Sequence, residues 1–140
     1  MTECSQHTFL VLTKRPDMIP QMTEEYWPSN LWLGVSVDGE NNDTDLINEL
    51  CMSEFPFNRF VSFEPLLGPI TDLETLEAVQ WIIIGAQTGP GARQPKKEWV
   101  CDIVRQAESL NIPIFLKNNL DFSSPDIRAA KWEQFPKEVH

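Results

Sequence analysis

Cationic side chains are scarce in this chain: 11 lysines and arginines stand against 21 aspartates and glutamates, a formal net charge of −10. Phosphate backbones are gripped by clustered Lys and Arg, so this balance excludes non-specific nucleic-acid binding through a basic surface. It argues equally against an anionic membrane face. Cysteines are few. Cys4, Cys51 and Cys101 lie about fifty residues apart, a spacing that supports neither a disulfide framework nor a CxxC-type metal or cluster site, and they read as isolated thiols. Of the two histidines, His7 precedes the first expected strand and His140 is the last residue. No Ser-His-Asp, Cys-His or two-histidine metal arrangement emerges, and metal binding is not expected. No apolar run approaches the ~20 residues of a membrane span. The opening residues lack the basic and apolar regions of a signal peptide, so the expected compartment is the cytoplasm.

What is present is an ordinary globular composition, 41% hydrophobic and 23% charged over 140 residues. Such a length suits one domain burying roughly two-thirds of its unfolded surface. We read residues 1–140 as a single α/β unit.

The most informative stretch is Trp81-Ile-Ile-Ile84 followed by Gly85-Ala-Gln-Thr-Gly-Pro-Gly-Ala-Arg93. Three isoleucines after a tryptophan predict a strand buried on both faces, as in a parallel sheet. The loop then carries three of the chain's six glycines. From Lys96 to Leu110, apolar residues at Trp99, Val100, Ile103, Val104, Ala107 and Leu110 predict an amphipathic helix. Strand, glycine loop and helix form the junction where open α/β sheets and barrels hold ligands.

The same grammar runs along the whole chain. Strands are expected at Thr8–Thr13, Leu31–Val37, Phe60–Phe63, Trp81–Ile84 and Ile114–Leu116. Helices are expected from Asp17 to about Glu25 (weakened by Pro20), from Thr44 to about Met52, and from the capping box Thr71-x-x-Glu74 to about Val79. Ser124-Pro125-Asp126 is a further helix start in a tail that keeps Trp132 and Phe135 for packing. Five strands alternating with helical segments predict a parallel sheet. Right-handed crossovers would curl it into a partial TIM-like (βα) barrel, with an open doubly wound sheet as the alternative. Five parallel strands do not close a barrel, so the outer two are open edges. The tail, a second copy of the chain, or further segments would have to cover them.

Aligning the strand ends collects the candidate site. Thr13, Lys14, Arg15, Ser36, Glu64, Gln87, Arg93 and Lys117 fall at or just past C-terminal strand ends, which share one rim in a parallel sheet. Four of the eleven cations (Lys14, Arg15, Arg93 and Lys117) sit there, predicting a pocket for an anionic small molecule. The glycine loop matches neither a Walker A ending nor GxGxxG. Gly89 and Gly91 either form an anion-binding nest or make a tight turn around Pro90. Glu64 is the candidate general base, with Asp38 the nearest acid expected on the same rim.

Four blocks together resemble successive motifs of an uncharacterised phage-associated protein family: His7–Pro16, Leu31–Val37, Arg59–Pro69 and Gly85–Arg93. Ile114–Asn118 and Lys131–Pro136 are similar to its last strand and C-terminal ending. Members are distantly similar to radical S-adenosylmethionine enzymes, and the resemblance implies the later part of a longer barrel. Longer members begin with βα units carrying a cysteine-rich motif, and S-adenosylmethionine and an iron–sulfur cluster are implied for those alone. Where the family reads Gly-Gly-Glu-Ser, this chain has Gly85-Ala86-Gln87-Thr88, an amide in place of an acid. The expectation is therefore a ligand-binding unit that is not catalytic by itself. Two rivals stand beside it: an interaction module whose open edges and aromatics (Trp27, Trp32) dock a partner chain or second copy, and a small enzyme using Glu64.

Overall fold

The computed structural model describes Cys4 and residues 6–21, 27–41, 44–52, 58–121 and 132–137. The helix start at Ser124-Pro125-Asp126, the approach Phe55–Phe57 and the residues on either side of Glu25 lie outside the described residues.

Five strands form the sheet: β1 (Phe9–Thr13), β2 (Leu31–Ser36), β3 (Asn58–Phe63), β4 (Trp81–Ile84) and β5 (Ile114–Leu116). Every neighbouring pair is parallel and the spatial order is β1-β2-β3-β4-β5. A doubly wound sheet reverses its strand order at a switch point. This one does not, so the sequential, barrel-like alternative is the one realised, and the sheet is left unclosed.

Register sorts the side chains into rows. Val35, Val61, Ile82 and Ile114 are successive partners, as are Phe63, Ile84 and Leu116. These residues share one buried cluster with Ile47 and Leu50 of helix α1 (Asp45–Met52) and with Val100, Ile103 and Ala107 of helix α2 (Lys97–Leu110). Intervening strand residues point to the opposite face. Trp32, Phe60 and Trp81 form a separate cluster there, with Ile83 and Phe115 against it and no helix residue among them. The helices among the described residues therefore stand on one side. The helix-free face has an aromatic floor, with Trp81 edge-on to Trp32 (6.1 Å, 83°) and to Phe115 (6.4 Å, 81°).

Helix α2 ends as its sequence dictates. Asn111 takes the left-handed conformation (φ 56°) and its N–H caps the carbonyls of Ala107 and Glu108. The two other helical predictions are corrected. Pro16–Gln21 and Leu73–Ala78 are 3-10 helices of six residues each. The capping box does not form: Asp72 is the N-cap and its side chain makes no cap bond, while the Thr75 hydroxyl donates back to the Asp72 carbonyl at 2.9 Å. A six-residue segment gains too few hydrogen bonds to offset helix nucleation, and the tighter winding serves as a connector.

The two sheet edges differ. Beside β5 the tail returns antiparallel: Leu116 N–H donates to Trp132 O (2.8 Å) and Gln134 N–H to Ile114 O (2.9 Å). The Trp81 indole N–H donates to Gln134 O at 2.9 Å, and the Phe135 ring lies 5.2 Å from Phe115. Beside β1 no strand is present among the described residues, and Leu10, Val11 and Leu12 are 46%, 37% and 50% exposed. No described helix is long and apolar enough to cross a membrane.

Gly34 has a packing reason. A Cβ there would lie 2.6 Å from the Phe60 ring, which is buried between Trp32 and Trp81. Gly34→Ala is expected to cost about 1–3 kcal/mol in chemical denaturation through overpacking. Adding Phe60→Leu should recover part of that loss. An equal loss in the double variant would show that the ring is not what Gly34 accommodates.

Candidate functional site

Since Phe63, Ile84 and Leu116 are register partners, the next positions along β3, β4 and β5 are Glu64, Gly85 and Lys117. They continue the helix-free face by the alternation of the strands. Glu64 and Lys117 meet across this row: Lys117 Nζ donates to Glu64 Oε1 at 2.6 Å, 53 residues apart in sequence. Strands two places apart are separated by roughly 9–10 Å, so both side chains must lean inward over β4. Gly85 makes that possible. A Cβ at Gly85 would stand 3.0 Å from Glu64 Cγ, Cδ and Oε1.

The pair borders a cavity of about 390 Å³ at the C-terminal rim, lined by Glu64, Thr88, Phe115, Lys117, Asn118, Asn119 and Glu133. Phe115 supplies an apolar wall and the remainder is polar. Glu64 is the less exposed partner, at 27% against 41% for Lys117. The Ser36 hydroxyl donates to the Glu64 carbonyl at 3.3 Å, which ties β2 to the same corner.

The other expected site residues make local contacts or bind neighbouring loops. Thr13 Oγ1 accepts from Arg15 N–H at 2.9 Å, and Arg15 forms a two-pronged pair with Asp17, both bonds 2.8 Å. That hydrogen bonding and charge hold the Arg15 guanidinium above its usual range and the Asp17 carboxyl below its own. Lys14 is exposed. Gln87 closes the glycine loop twice: its N–H donates to Arg93 O (3.3 Å), and its Oε1 accepts from Arg93 N–H (3.1 Å). Within that loop Ala92 N–H donates to Gly89 O at 3.1 Å around Pro90-Gly91, and Gly91 has φ +75°. These are the features of a type II turn, so the tight-turn alternative describes this loop. Its tip is exposed, and an added Cβ at Gly89 or Gly91 would meet nothing within 4 Å.

Arg93 turns away from the cavity to Glu40, with bonds of 2.9 and 3.1 Å, and Glu40 raises its pKa by hydrogen bond and charge. Asp38, the acid expected nearby, is a loop anchor. Its carbonyl accepts from Leu67 and Gly68 N–H at 2.8 and 3.1 Å, and its carboxylate from Glu40 N–H at 2.8 Å. Of the ten expected residues, the rim cavity thus takes Glu64 and Lys117 directly.

Sequence reasoning passed over Gly85, Asn119 and Glu133. Continuing the register one residue past each strand would have found Gly85 between Glu64 and Lys117. Asn119 clamps the segment that follows β4: its Nδ2 donates to Ala86 O (2.9 Å) and its Oδ1 accepts from Ala86 N–H (3.2 Å). Gln94 holds this loop in turn, bonding Asn119 O and Asp121 N–H at 3.0 and 2.9 Å. Glu133 arrives from the tail, where no strand signal exists.

An iron–sulfur cluster of the kind the resemblance implies for longer members would need several thiols brought together. Cys4 precedes β1, Cys51 is in α1 and Cys101 in α2, and all three thiols are free. Cys51 packs against the core, its Sγ 3.9 Å from the Thr75 carbonyl, and burial pushes its pKa up. This donor set does not fit a cluster, and no described group of three His, Cys, Asp or Glu converges as a metal site.

A family model described as a protein of unknown function, DUF5131, matches residues 1–135. No curated protein and no solved structure matches the chain.

The geometry predicts that Glu64→Gln and Lys117→Met couple by about 0.5–1 kcal/mol in a double-mutant cycle, the range of a partly exposed pair. In a Gly85→Ala background the coupling should fall toward zero, because the added methyl displaces the Glu64 side chain. Unchanged coupling there would refute the part given to Gly85.

Proposed function

The chain belongs to the DUF5131 family of proteins of unknown function, and we propose that it binds a small anionic molecule in the rim cavity without turning it over by itself. One observation carries this reading: Lys117 is held at the mouth of the cavity by Glu64, 2.6 Å away. An ammonium has three N–H donors, so Lys117 can keep Glu64 and still offer a donor to an incoming oxygen. Thr88 and Asn118 add a hydroxyl and an amide at the same wall, while Phe115 gives an apolar body somewhere to rest. The lining also holds two carboxylates, Glu64 and Glu133, so the ligand class is a compact molecule that sets one anionic group on Lys117, turns donors toward the carboxylates and rests an apolar portion on Phe115.

Arg15 and Arg93 enter this proposal indirectly. Each is already offset by a carboxylate, so long-range attraction is weak and recognition depends on short-range geometry. Thr13, Ser36, Gln87, Gly89 and Gly91 shape the loops, and Lys14 contributes charge at the periphery. On the same proposal the chain corresponds to the later βα units of a longer barrel from a phage-associated lineage. Any S-adenosylmethionine or cluster chemistry belongs to longer members. Glu64 as a general base is the weaker reading, since its carboxylate already accepts a hydrogen bond from Lys117.

The test is thermal unfolding and calorimetric titration with inorganic phosphate, sugar phosphates, nucleotides and S-adenosylmethionine at constant ionic strength. A ligand at about a hundred times its dissociation constant adds roughly 2.7 kcal/mol of stability. Lys117→Met should abolish the effect and Arg93→Ala should spare it. Glu64→Gln should tighten binding by about 3–10-fold, because it leaves the lysine charge uncompensated. Stabilisation by none of these compounds, or binding that survives Lys117→Met, would reject the proposal.

A further inference from the structure

The tail brings to the rim cavity a carboxylate that the rest of the site leaves unpaired. Glu133 lies opposite Phe115 in the antiparallel return, where Leu116 N–H donates to Trp132 O and Gln134 N–H to Ile114 O. Those bonds flank the two residues, so Glu133 and Phe115 are a non-hydrogen-bonded pair, the geometry that brings opposed side chains closest on one face. That face is the helix-free one, because Phe115 stands against the aromatic cluster there. Two residues further along β5, Lys117 shares the face and is diagonal to Glu133, at roughly 7–8 Å.

Nothing among the described residues bridges that diagonal. Lys117 leans the other way, over β4, to reach Glu64 at 2.6 Å. Glu133 is exposed, and its side chain makes no hydrogen bond or ion pair with a described residue. Both line the same cavity, with Phe115 between them. The cavity thus offers an ammonium with donors to spare, an acid without a partner, and an aromatic ring beneath the gap. With Glu64 included, it is left with one negative charge in excess.

Resting on the reading of the rim cavity given above, we infer that its ligand is a free α-amino acid with an apolar side chain. The carboxylate takes a donor of Lys117, the ammonium sits on Glu133, and the side chain covers the Phe115 ring. With charge-assisted bonds of about 2.8 Å at each end, an adjacent ammonium and carboxylate bridge a gap of this size. A ligand with only an anionic group would set a like charge beside Glu133, and one with only an ammonium would set a like charge beside Lys117. A zwitterion meets neither penalty. It also suits a chain of net charge −10, whose field repels free anions at long range and spares a molecule of zero net charge. The cavity, about 390 Å³, has room for a molecule of this kind.

The test is calorimetric titration of the full chain at neutral pH and constant ionic strength, with four probes built on a short alkyl chain: L-norleucine, ε-aminocaproate, hexanoate and pentylamine. Norleucine carries its ammonium and carboxylate side by side, ε-aminocaproate holds them at opposite ends, and the other two carry one each. Norleucine should bind at least ~10-fold tighter than any of the others, the worth of one charge-assisted hydrogen bond. Glu133→Gln should remove most of that margin while leaving hexanoate binding equal or tighter. Glu133→Lys should reverse the preference, so that hexanoate binds tighter than norleucine. Lys117→Met should abolish binding of both.

Any of the other three probes binding as tightly as norleucine would overturn the inference, as would a norleucine margin that survives Glu133→Gln. Hexanoate binding as tightly as norleucine, and lost in Lys117→Met, would still leave the anionic-ligand reading of the cavity standing. Binding indifferent to Lys117→Met would overturn both. Silence from all four probes would also overturn the inference, and the phosphate and nucleotide titrations would then decide the broader reading by themselves.

Discussion

Parallel pairing in strict chain order is the constraint on which the rest of this molecule depends. Once Phe60 is beside Trp81 and Ile82 beside Ile114, every further residue along β3, β4 and β5 has its row and its face assigned. The aliphatic rows meet the two helices, and the aromatic rows meet one another. The last row, one residue beyond the ladder, combines an acid, a glycine and a lysine. The ion pair at the rim is therefore a product of register rather than of local sequence. Shifting one strand by a residue would exchange its faces, burying polar groups under the helices and separating Glu64 from Lys117.

The acidity of the chain acts at close range. Arg15, Arg93 and Lys117 each find a carboxylate, in Asp17, Glu40 and Glu64. Two of these pairs are also mechanical links. Arg93 ties the loop after β4 to the loop after β2, and Lys117 ties β5 to β3. Neutral bonds through Asp38, Asn119 and Gln94 complete the lacing. Exposed pairs of this kind contribute little stability individually. Collectively they tie together the loops after β2, β3, β4 and β5, which positions the wall of the rim cavity.

Much of the architecture was legible because it rests on short-range pattern. Trp81-Ile-Ile-Ile84 announced a two-sided strand, and the spacing from Trp99 to Leu110 announced α2 nearly to the residue. The rim was legible too, as a set of strand ends. Partner choice was not. Whether Arg93 faces a ligand or Glu40 depends on a loop 53 residues away, and the sequence around Arg93 carries no trace of it. The capping box at Thr71 misled because a cap adds to a helix that has room to form. Here only Val79 and Gln80 separate Ala78 from Trp81, and the chain must leave the helix to enter β4. The strand-like return of Trp132–Gln134 had no signal, since its apolar contacts are supplied by Trp81 and Phe115 rather than by its own alternation.

The tail against β5 bears on how this sheet can associate at all. A sheet with two exposed edges can recruit a neighbour at each and grow without limit, which is the route to fibres. Here the antiparallel return at Trp132–Gln134 hydrogen-bonds along β5, so that border of the sheet is already occupied. The tail thus acts as a selvedge for the sheet: its few backbone bonds withdraw the β5 border from pairing with a neighbour.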